Sequence, residues 1–381
     1  MIPYSHQHID EDDIRTVIDV LKSDWLTQGE KIEEFEKALA FYCDARYAVV
    51  VSSGTAALHL ALKVLGIGKG DTVVTSPLSF VASSNCAIYV GAAPAFVDID
   101  PETYTLSSRH LESFFKQKKP KAVIPIHYGG FPAAMKEIRC IAQKGASWVI
   151  EDASHALGAK YDSQKVGSCQ FSDMTIFSFH PVKTITTGEG GAILTNNEGM
   201  YKKLKCLRSH SIEKKAGEGT WYYEVTDIGY NYRLTDIQAA LGISQLKKCN
   251  RFIEKRRIWA NYYFSLLKEN ERIILPPRDE HFGVRSAWHL FPIQLNISNI
   301  ERTKKELVQY LRNQGIGVQV HYIPIHLHPY YQKEFGFKKG DFPIAEEIYQ
   351  KILSLPLYVD LTEEHIKFIV QTLNQGIQLF K

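Results

Sequence analysis

The densest chemistry-bearing stretch of this 381-residue chain runs from Met174 to Asn196, MTIFSFHPVKTITTGEGGAILTN, where two apolar runs flank a loop that holds Lys183. Most loop lysines are solvated. This one follows a buried-type strand and sits among His180, Pro181, three threonines and Gly188, Gly190 and Gly191, a setting in which an amine can lose its water. Desolvation disfavours the ammonium form, and a neutral lysine amine is what Schiff-base chemistry requires.

Three other segments carry groups that could serve such an amine. Trp148–His155 (WVIEDASH) places Glu151 and Asp152 at the end of a buried strand. There an acid either caps the local backbone or faces a ring nitrogen and keeps it protonated. Ser52-Ser53-Gly54-Thr55 joins a strand to an apolar helix, and free N–H groups at a helix start favour a phosphate. It is not a Walker loop, and no GxGxxG follows a strand. Gly66-Ile-Gly-Lys-Gly70 follows a helix and reads as a connecting turn. Asp71–Asn85 (DTVVTSPLSFVASSN) offers Phe80 just beyond a strand end, either as core or as the wall of a flat ligand's site. The 14 histidines invite a metal test. His326 and His328 could share one face of a strand near His321, but there is no HExxH, cysteine ligand or neighbouring acid. A polar pocket lining suits them better than a metal site.

These groups need a scaffold. Strand candidates at Tyr47–Val51, Thr72–Thr75, Pro94–Val97, Ala122–Ile126, Trp148–Ile150, Met174–Phe179 and Ala192–Thr195 alternate with helices such as Ala56–Leu65, Phe80–Val90 and Pro132–Gln143. Apolar strands separated by helices predict a parallel or mixed sheet covered on both faces. Ahead of them, Asp10 caps a helix whose apolar face is Ile14, Val17, Ile18 and Leu21, and Ile32, Phe35 and Leu39 mark a second. After Thr235 a long helical stretch leads to Leu275-Pro276-Pro277. Strands at His289–Leu295 and Val318–Tyr322 and helices at Arg302–Asn313, Ile344–Ile352 and Glu363–Leu379 follow. The expectation is an α/β fold with a large mixed-sheet unit over 1–249 and a small α+β unit over 250–381.

Composition agrees with an ordinary enzyme: 45% hydrophobic, 23% charged, formal net charge +3. No block of like charge points to nucleic acid or an anionic membrane, and no apolar run is long enough to span a bilayer. The six cysteines are scattered without a CxxC pair, and no basic-then-apolar leader is visible, so the expected setting is the cytoplasm with reduced thiols.

In order along the chain, LTQGEKIEEFEKALA, VVVSSGTAALHLAL, DTVVTSPLSFVASSN, VIEDASHALGA, FSFHPVKTITTGEGGAILTNN, LRSHSI, GYNYRLTDIQAALGISQLKK and VHYIPIHLHPYY resemble the sugar aminotransferases of the DegT/DnrJ/EryC/StrS family. Those are pyridoxal-phosphate enzymes of fold type I, the aspartate aminotransferase-like fold. SPLSFVASSN and SFHPVKTITTGEGGA resemble in particular the subgroup that makes a 4-amino sugar nucleotide for pseudaminic acid. The resemblance implies that Lys183 bonds the cofactor and shuttles the proton, that Asp152 pairs with the pyridinium nitrogen and that Phe80 stacks on the ring. Gly54, Thr55 and Ser178 would hold the phosphate, with Asn231 reaching in from the partner of a homodimer. Tyr4, Trp25, Leu26, Thr27, His321 and Tyr322 would meet the sugar nucleotide. His155 stands where many members carry glutamine, which leaves its role beside the ring open. The implied reaction moves an amino group from L-glutamate, by way of pyridoxamine 5'-phosphate, to C4 of a 4-keto-6-deoxy sugar nucleotide. UDP-2-acetamido-2,6-dideoxy-beta-L-arabino-hexos-4-ulose is the expected acceptor, with GDP- or dTDP-linked or 3-keto sugars as alternatives. The family's dehydratases replace the lysine by histidine, so Lys183 argues for transamination over dehydration or a silent sugar-binding regulator.

Overall fold

The computed structural model describes residues 1–215 and 217–380. The chain opens with α1 (Glu11–Leu21) and α2 (Glu30–Cys43) and then alternates through β1 (Tyr47–Val51), α3 (Gly54–Val64), β2 (Thr72–Thr75), α4 (Ala82–Tyr89), β3 (Ala93–Phe96), α5 (Ser108–Gln117), β4 (Ala122–Ile124), α6 (Met135–Lys144) and β5 (Trp148–Asp152). A short hairpin, β6 (Lys160–Tyr161) and β7 (Gln164–Lys165), precedes β8 (Met174–Ser178) and β9 (Gly191–Thr195). Next come α7 (Glu198–Arg208), a second hairpin of β10 (Ile212–Lys214) and β11 (Tyr223–Val225), and α8 (Asp236–Leu267). The remainder comprises β12 (Ile273–Ile274), β13 (Val284–Arg285), β14 (Phe291–Leu295), α9 (Ile300–Asn313), α10 (Pro329–Phe335), α11 (Pro343–Lys351), β15 (Ile352–Leu355) and α12 (Glu363–Leu379).

Seven strands form one sheet in the order β1-β9-β8-β5-β4-β2-β3. Strands β3, β2, β4, β5 and β8 run parallel, while β9 lies antiparallel between β8 and β1. It is the expected mixed α/β sheet, and the carboxyl ends of β1, β2, β5 and β8 share one edge. Alternation along β1 shows why its residues are all apolar: Ala48 and Val50 pack with Phe35, Leu39 and Phe252, whereas Val49 and Val51 pack with the α3 side chains Leu58 and Leu62. Both faces are covered, so neither can be polar.

Helix α8 begins at a capping box in which Thr235 accepts from the Gln238 N–H and Gln238 reaches back to Thr235 N–H. The division expected at 249/250 falls inside this continuous 32-residue helix. Up to Ile253 its apolar residues join the layer under the large sheet, and from Ala260 to Leu267 they join a second core with Phe291, Leu307 and Leu373. That core lies on an antiparallel sheet of order β12-β14-β15. No helix among the described residues is long and apolar enough to cross a membrane.

The helix capped by Asp10 turns an unexpected side inward, and one strand expectation is corrected. The apolar face of α1 does not point inward: Ile14, Ile18 and Leu21 are exposed, and Asp13 and Val20 are buried instead. Gln245 and Lys248 of α8 bind the Asp13 carboxylate at 2.7 and 3.0 Å, which turns that side of the helix inward. Residues 318–322 do not form a strand. Only Gln319 reaches a bridge, exchanging backbone hydrogen bonds with Ser354, because the chain then carries His321 and Tyr322 toward the large sheet rather than along β15.

Candidate active site

The carboxyl edge of the large sheet gathers the groups that the sequence singled out. After β1, Ser53 caps α3, its Oγ accepting from Ala56 N–H at 3.1 Å. Two glycines let that helix start press against the sheet. A Cβ on Gly54 would stand 3.0 Å from Ser178 Cβ, and one on Gly191 would stand 2.5 Å from the Ser53 carbonyl. The first turn of α3, with Gly54 and Thr55, thus starts against Ser178 at the end of β8. Such an edge suits a phosphate.

Asp152 ends β5, buried, with Oδ2 accepting from Ser83 Oγ at 2.6 Å and Oδ1 from Ser154 N–H at 3.1 Å. Ser83 lies on α4, three residues beyond Phe80. Phe80 itself is 58% exposed, which sets aside its reading as a core residue. The inward side of that turn is taken by Ala82, Ser83 and Cys86. The Phe80 ring faces Tyr322 at 6.2 Å between centroids.

Lys183 follows β8 on a loop that Thr186 and Thr187 bind back to the Phe179 carbonyl and that Ser5 ties to the N-terminal segment through Val182 O at 3.2 Å. Its amine makes no hydrogen bond or ion pair within the described chain. Burial brings it down to about 8, with the nearby Asp152 carboxylate pulling the other way. That matches the desolvated amine expected from the sequence. Around it, His155 and His321 are both buried. Burial and the proximity of Lys183 hold His155 well below the ordinary imidazole range and His321 down to about 3, so both rings are neutral near pH 7. The Tyr322 hydroxyl is 3.2 Å from His155 Nε2, and burial holds that phenol protonated. Tyr4 packs its ring 5.5 Å from His321, whose Nδ1 meets Ser354 Oγ at 2.9 Å.

The site thus brings together Lys183, Asp152, Phe80, His155, Tyr322, His321 and Tyr4, with Gly54, Thr55 and Ser178 along the same edge. Trp25, Leu26, Thr27 and Asn231 are not drawn into it. Trp25, Leu26 and Thr27 are exposed and held to the start of α8, Thr27 pairing with Thr235 and Leu26 O accepting from Asp236 N–H at 3.0 Å. Asn231 is exposed between Tyr230 and Tyr232, which stack on each other against His59 of their own chain. His326 does not share a strand face with His328. It sits on a one-turn 3-10 helix, buried, with Nε2 2.8 Å from Glu346. Among the described residues no group of three or more potential ligands could hold a metal.

Sequence reasoning missed Ser83, though SPLSFVASSN put it within a helical turn of Phe80. It also missed His289, whose ring lies 4.3 Å from His155 and whose isolated place in SAWHLF carries no local signal.

The family sequence pattern matches residues 7–374. The chain belongs to the DegT/DnrJ/EryC1/StrS aminotransferase family. It is 40% identical over 375 residues to a UDP-4-amino-4,6-dideoxy-N-acetyl-beta-L-altrosamine transaminase of Campylobacter jejuni, covering 98% of this chain and 96% of that one. Among solved structures it superposes on Helicobacter pylori PseC, an aminotransferase involved in the biosynthesis of pseudoaminic acid, with TM-score 0.93, 33% identity and full coverage of both chains. It also matches the putative sugar aminotransferase Spr1654 of Streptococcus pneumoniae, at 30% identity, solved in pyridoxamine- and pyridoxal-phosphate forms (TM-scores 0.94 and 0.93). The alignments cover all of this chain and 100% and 99% of those chains. This family member is a pyridoxal-phosphate-dependent sugar aminotransferase of fold type I. The residues present fit that cofactor: an unpaired amine of lowered pKa, a glycine-permitted helix start for the phosphate, a fixed carboxylate and an exposed aromatic face stand on one edge. His155 Nδ1, buried and without a hydrogen-bond partner among the described residues, is a further polar atom there.

Proposed function

We propose that this sugar aminotransferase takes the amino group of L-glutamate, releases 2-oxoglutarate, and delivers the amine to C4 of a UDP-linked 4-keto-6-deoxy sugar of the pseudaminic acid pathway. The observation that carries the catalytic part is Lys183, an amine brought down to about 8 beside Asp152 at the carboxyl edge of β5 and β8. The acceptor class rests on the similarity to the altrosamine transaminase and to PseC.

Pyridoxal phosphate, when bound, supplies an electron sink for the carbon that loses its proton. Lys183 Nζ would hold it covalently, Gly54, Thr55 and Ser178 its phosphate, and the Asp152 carboxylate its ring nitrogen. Phe80 would cover one face. Once released, Lys183 Nζ takes the proton from the Cα of glutamate and in the second half returns one to C4 of the sugar. An amine that titrates near 8 can do both near neutral pH. Tyr4, His321 and Tyr322 would orient the sugar, with one neutral imidazole and two protonated phenols that present donors without adding charge. Trp25, Leu26, Thr27 and Asn231, exposed in one chain, would complete the site of the second subunit in a homodimer.

Turnover of a panel of 4-keto sugar nucleotides with L-glutamate, scored by 2-oxoglutarate formed, tests the substrate. Turnover of UDP-linked acceptors is expected. Turnover of GDP- or dTDP-linked or 3-keto acceptors in their place would reassign the acceptor and leave transamination standing.

A further inference from the structure

Next to Asp152 lies a buried acid that the reaction does not use. Glu151 and Asp152 are consecutive in β5, so their side chains leave opposite faces of the sheet. Asp152 meets Ser83 on α4. Glu151 meets His127 on the other side, its Oε2 2.8 Å from His127 Nε2, while its Oε1 accepts from Thr175 Oγ1 at 3.1 Å and from Ser172 Oγ. His127 Nδ1 accepts the Ala133 N–H at 3.0 Å, so that nitrogen carries no proton and the ring's N–H is on Nε2, aimed at Glu151. Burial works against the charged carboxylate, yet the bonds from His127, Ser172 and Thr175 hold it below the usual range.

The backbone makes the arrangement more than a local pair. Strand β4 stops at Ile124, and its registered pairing with β5 ends at Val123–Val149. Beyond that point the segment Pro125–His127 holds this side of β5: Asp152 N–H donates to Pro125 O at 2.9 Å, and His127 N–H donates to Asp152 O at 3.1 Å. His127 therefore grips two successive residues of the strand, Asp152 through its backbone and Glu151 through its ring. A buried carboxylate adds little net stability over an apolar side chain of similar volume, but a fully bonded one fixes geometry.

We propose that His127 and Glu151 are a positioning pair for Asp152, setting where its carboxylate stands toward the cofactor's ring nitrogen. The proposal rests on the assignment of Asp152 to that nitrogen. Partners one shell out from a reacting group orient it, and their loss typically lowers activity by about 10–100-fold.

The test uses the holoenzyme reconstituted with pyridoxal phosphate 15N-labelled at the ring nitrogen, whose chemical shift reports protonation there. Glu151→Gln keeps the shape and removes the charge. His127→Asn keeps an acceptor near Nδ1 but loses the donor to Glu151, whereas His127→Gln places a donor near Nε2. Glu151→Gln and His127→Asn are expected to move the signal toward the unprotonated ring and to lower kcat about 10-fold with little change in the KM for glutamate. His127→Gln is expected to restore much of both. An unmoved signal and normal kcat in Glu151→Gln and His127→Asn would overturn the pair's role, as would failure of both to fold, which would make it a folding element only. Asp152→Asn is the control. If it leaves the signal unmoved, the assignment of Asp152 itself falls.

Discussion

Tyr322 places its hydroxyl 3.2 Å from His155 Nε2, joining the C-terminal third of the chain to the loop that follows β5. The phenol is protonated and the imidazole neutral, so one proton lies between them and the tautomer of His155 sets which group donates. When the phenol donates, the His155 proton sits on Nδ1, a buried atom without a hydrogen-bond partner among the described residues. Tyr322→Phe removes this hydrogen bond and its hold on the His155 tautomer. We expect about a 2- to 10-fold fall in kcat/KM, the worth of one hydrogen bond, with the melting temperature of the apoprotein nearly unchanged. Steady-state kinetics beside a thermal melt would check it.

The lowered pKa of Lys183 has a signed consequence for stability. The folded chain holds this amine at about 8, against 10.5 for the ordinary group, so between those values the unfolded chain binds more protons. Stability contributed by this group therefore rises with pH across that window, and the cost of burying the ammonium is fully present below it. Denaturant melts of the apoprotein at pH 7.5 and 9.5, with Lys183→Met alongside, should show a larger gain with pH in the parent than in the variant, which keeps the share owed to the partly buried Lys304, also held at about 8. An equal gain in both would remove Lys183 as its source.

Gly191→Ala probes the helix start that faces Ser178. Its new Cβ would stand 2.5 Å from the Ser53 carbonyl and 2.7 Å from Gly54 N, and backbone there cannot give way cheaply. A loss of about 1–3 kcal/mol of stability is expected from overpacking. Weaker binding of pyridoxal phosphate should accompany it, because the cap of α3 must move. Chemical denaturation and cofactor titration of the apoprotein read the two effects separately. Intact affinity in a destabilised variant would place the phosphate elsewhere.

Legibility followed the physics of each element. Gly54, Asp152 and Lys183 on the large sheet's edge were readable because buried strands are apolar and end at polar turns, which marks the carboxyl edge in the sequence itself, whereas Ser178 entered only through the family resemblance. The site's far wall was not so marked. Val318–Tyr322 reads as a strand by composition, yet its path is set by Ser354 and the large sheet, neither of which is near in sequence. The outward turn of α1 follows from Gln245 and Lys248, more than 200 residues away, capturing Asp13. Periodicity identifies a helix's apolar stripe but cannot say that an ion pair will claim the inward side. Ser83 and His127 escaped notice because a positioning group is defined by what it touches.

Asn231 offers a test of the assembly that a single chain cannot give. It is exposed, flanked by the Tyr230 and Tyr232 rings packed on His59 and paired with Ser209. If it serves the neighbouring subunit, Lys183→Ala and Asn231→Ala chains should each be inactive or nearly so alone and should complement when mixed. In a mixed dimer one site receives both damaged residues and the other receives neither. Random exchange of equal amounts leaves about a quarter of the sites intact, since half the dimers are mixed and each carries one good site. Recovery of activity to about that level would show that the site is shared. No recovery after verified subunit exchange would return Asn231 to the surface of its own chain.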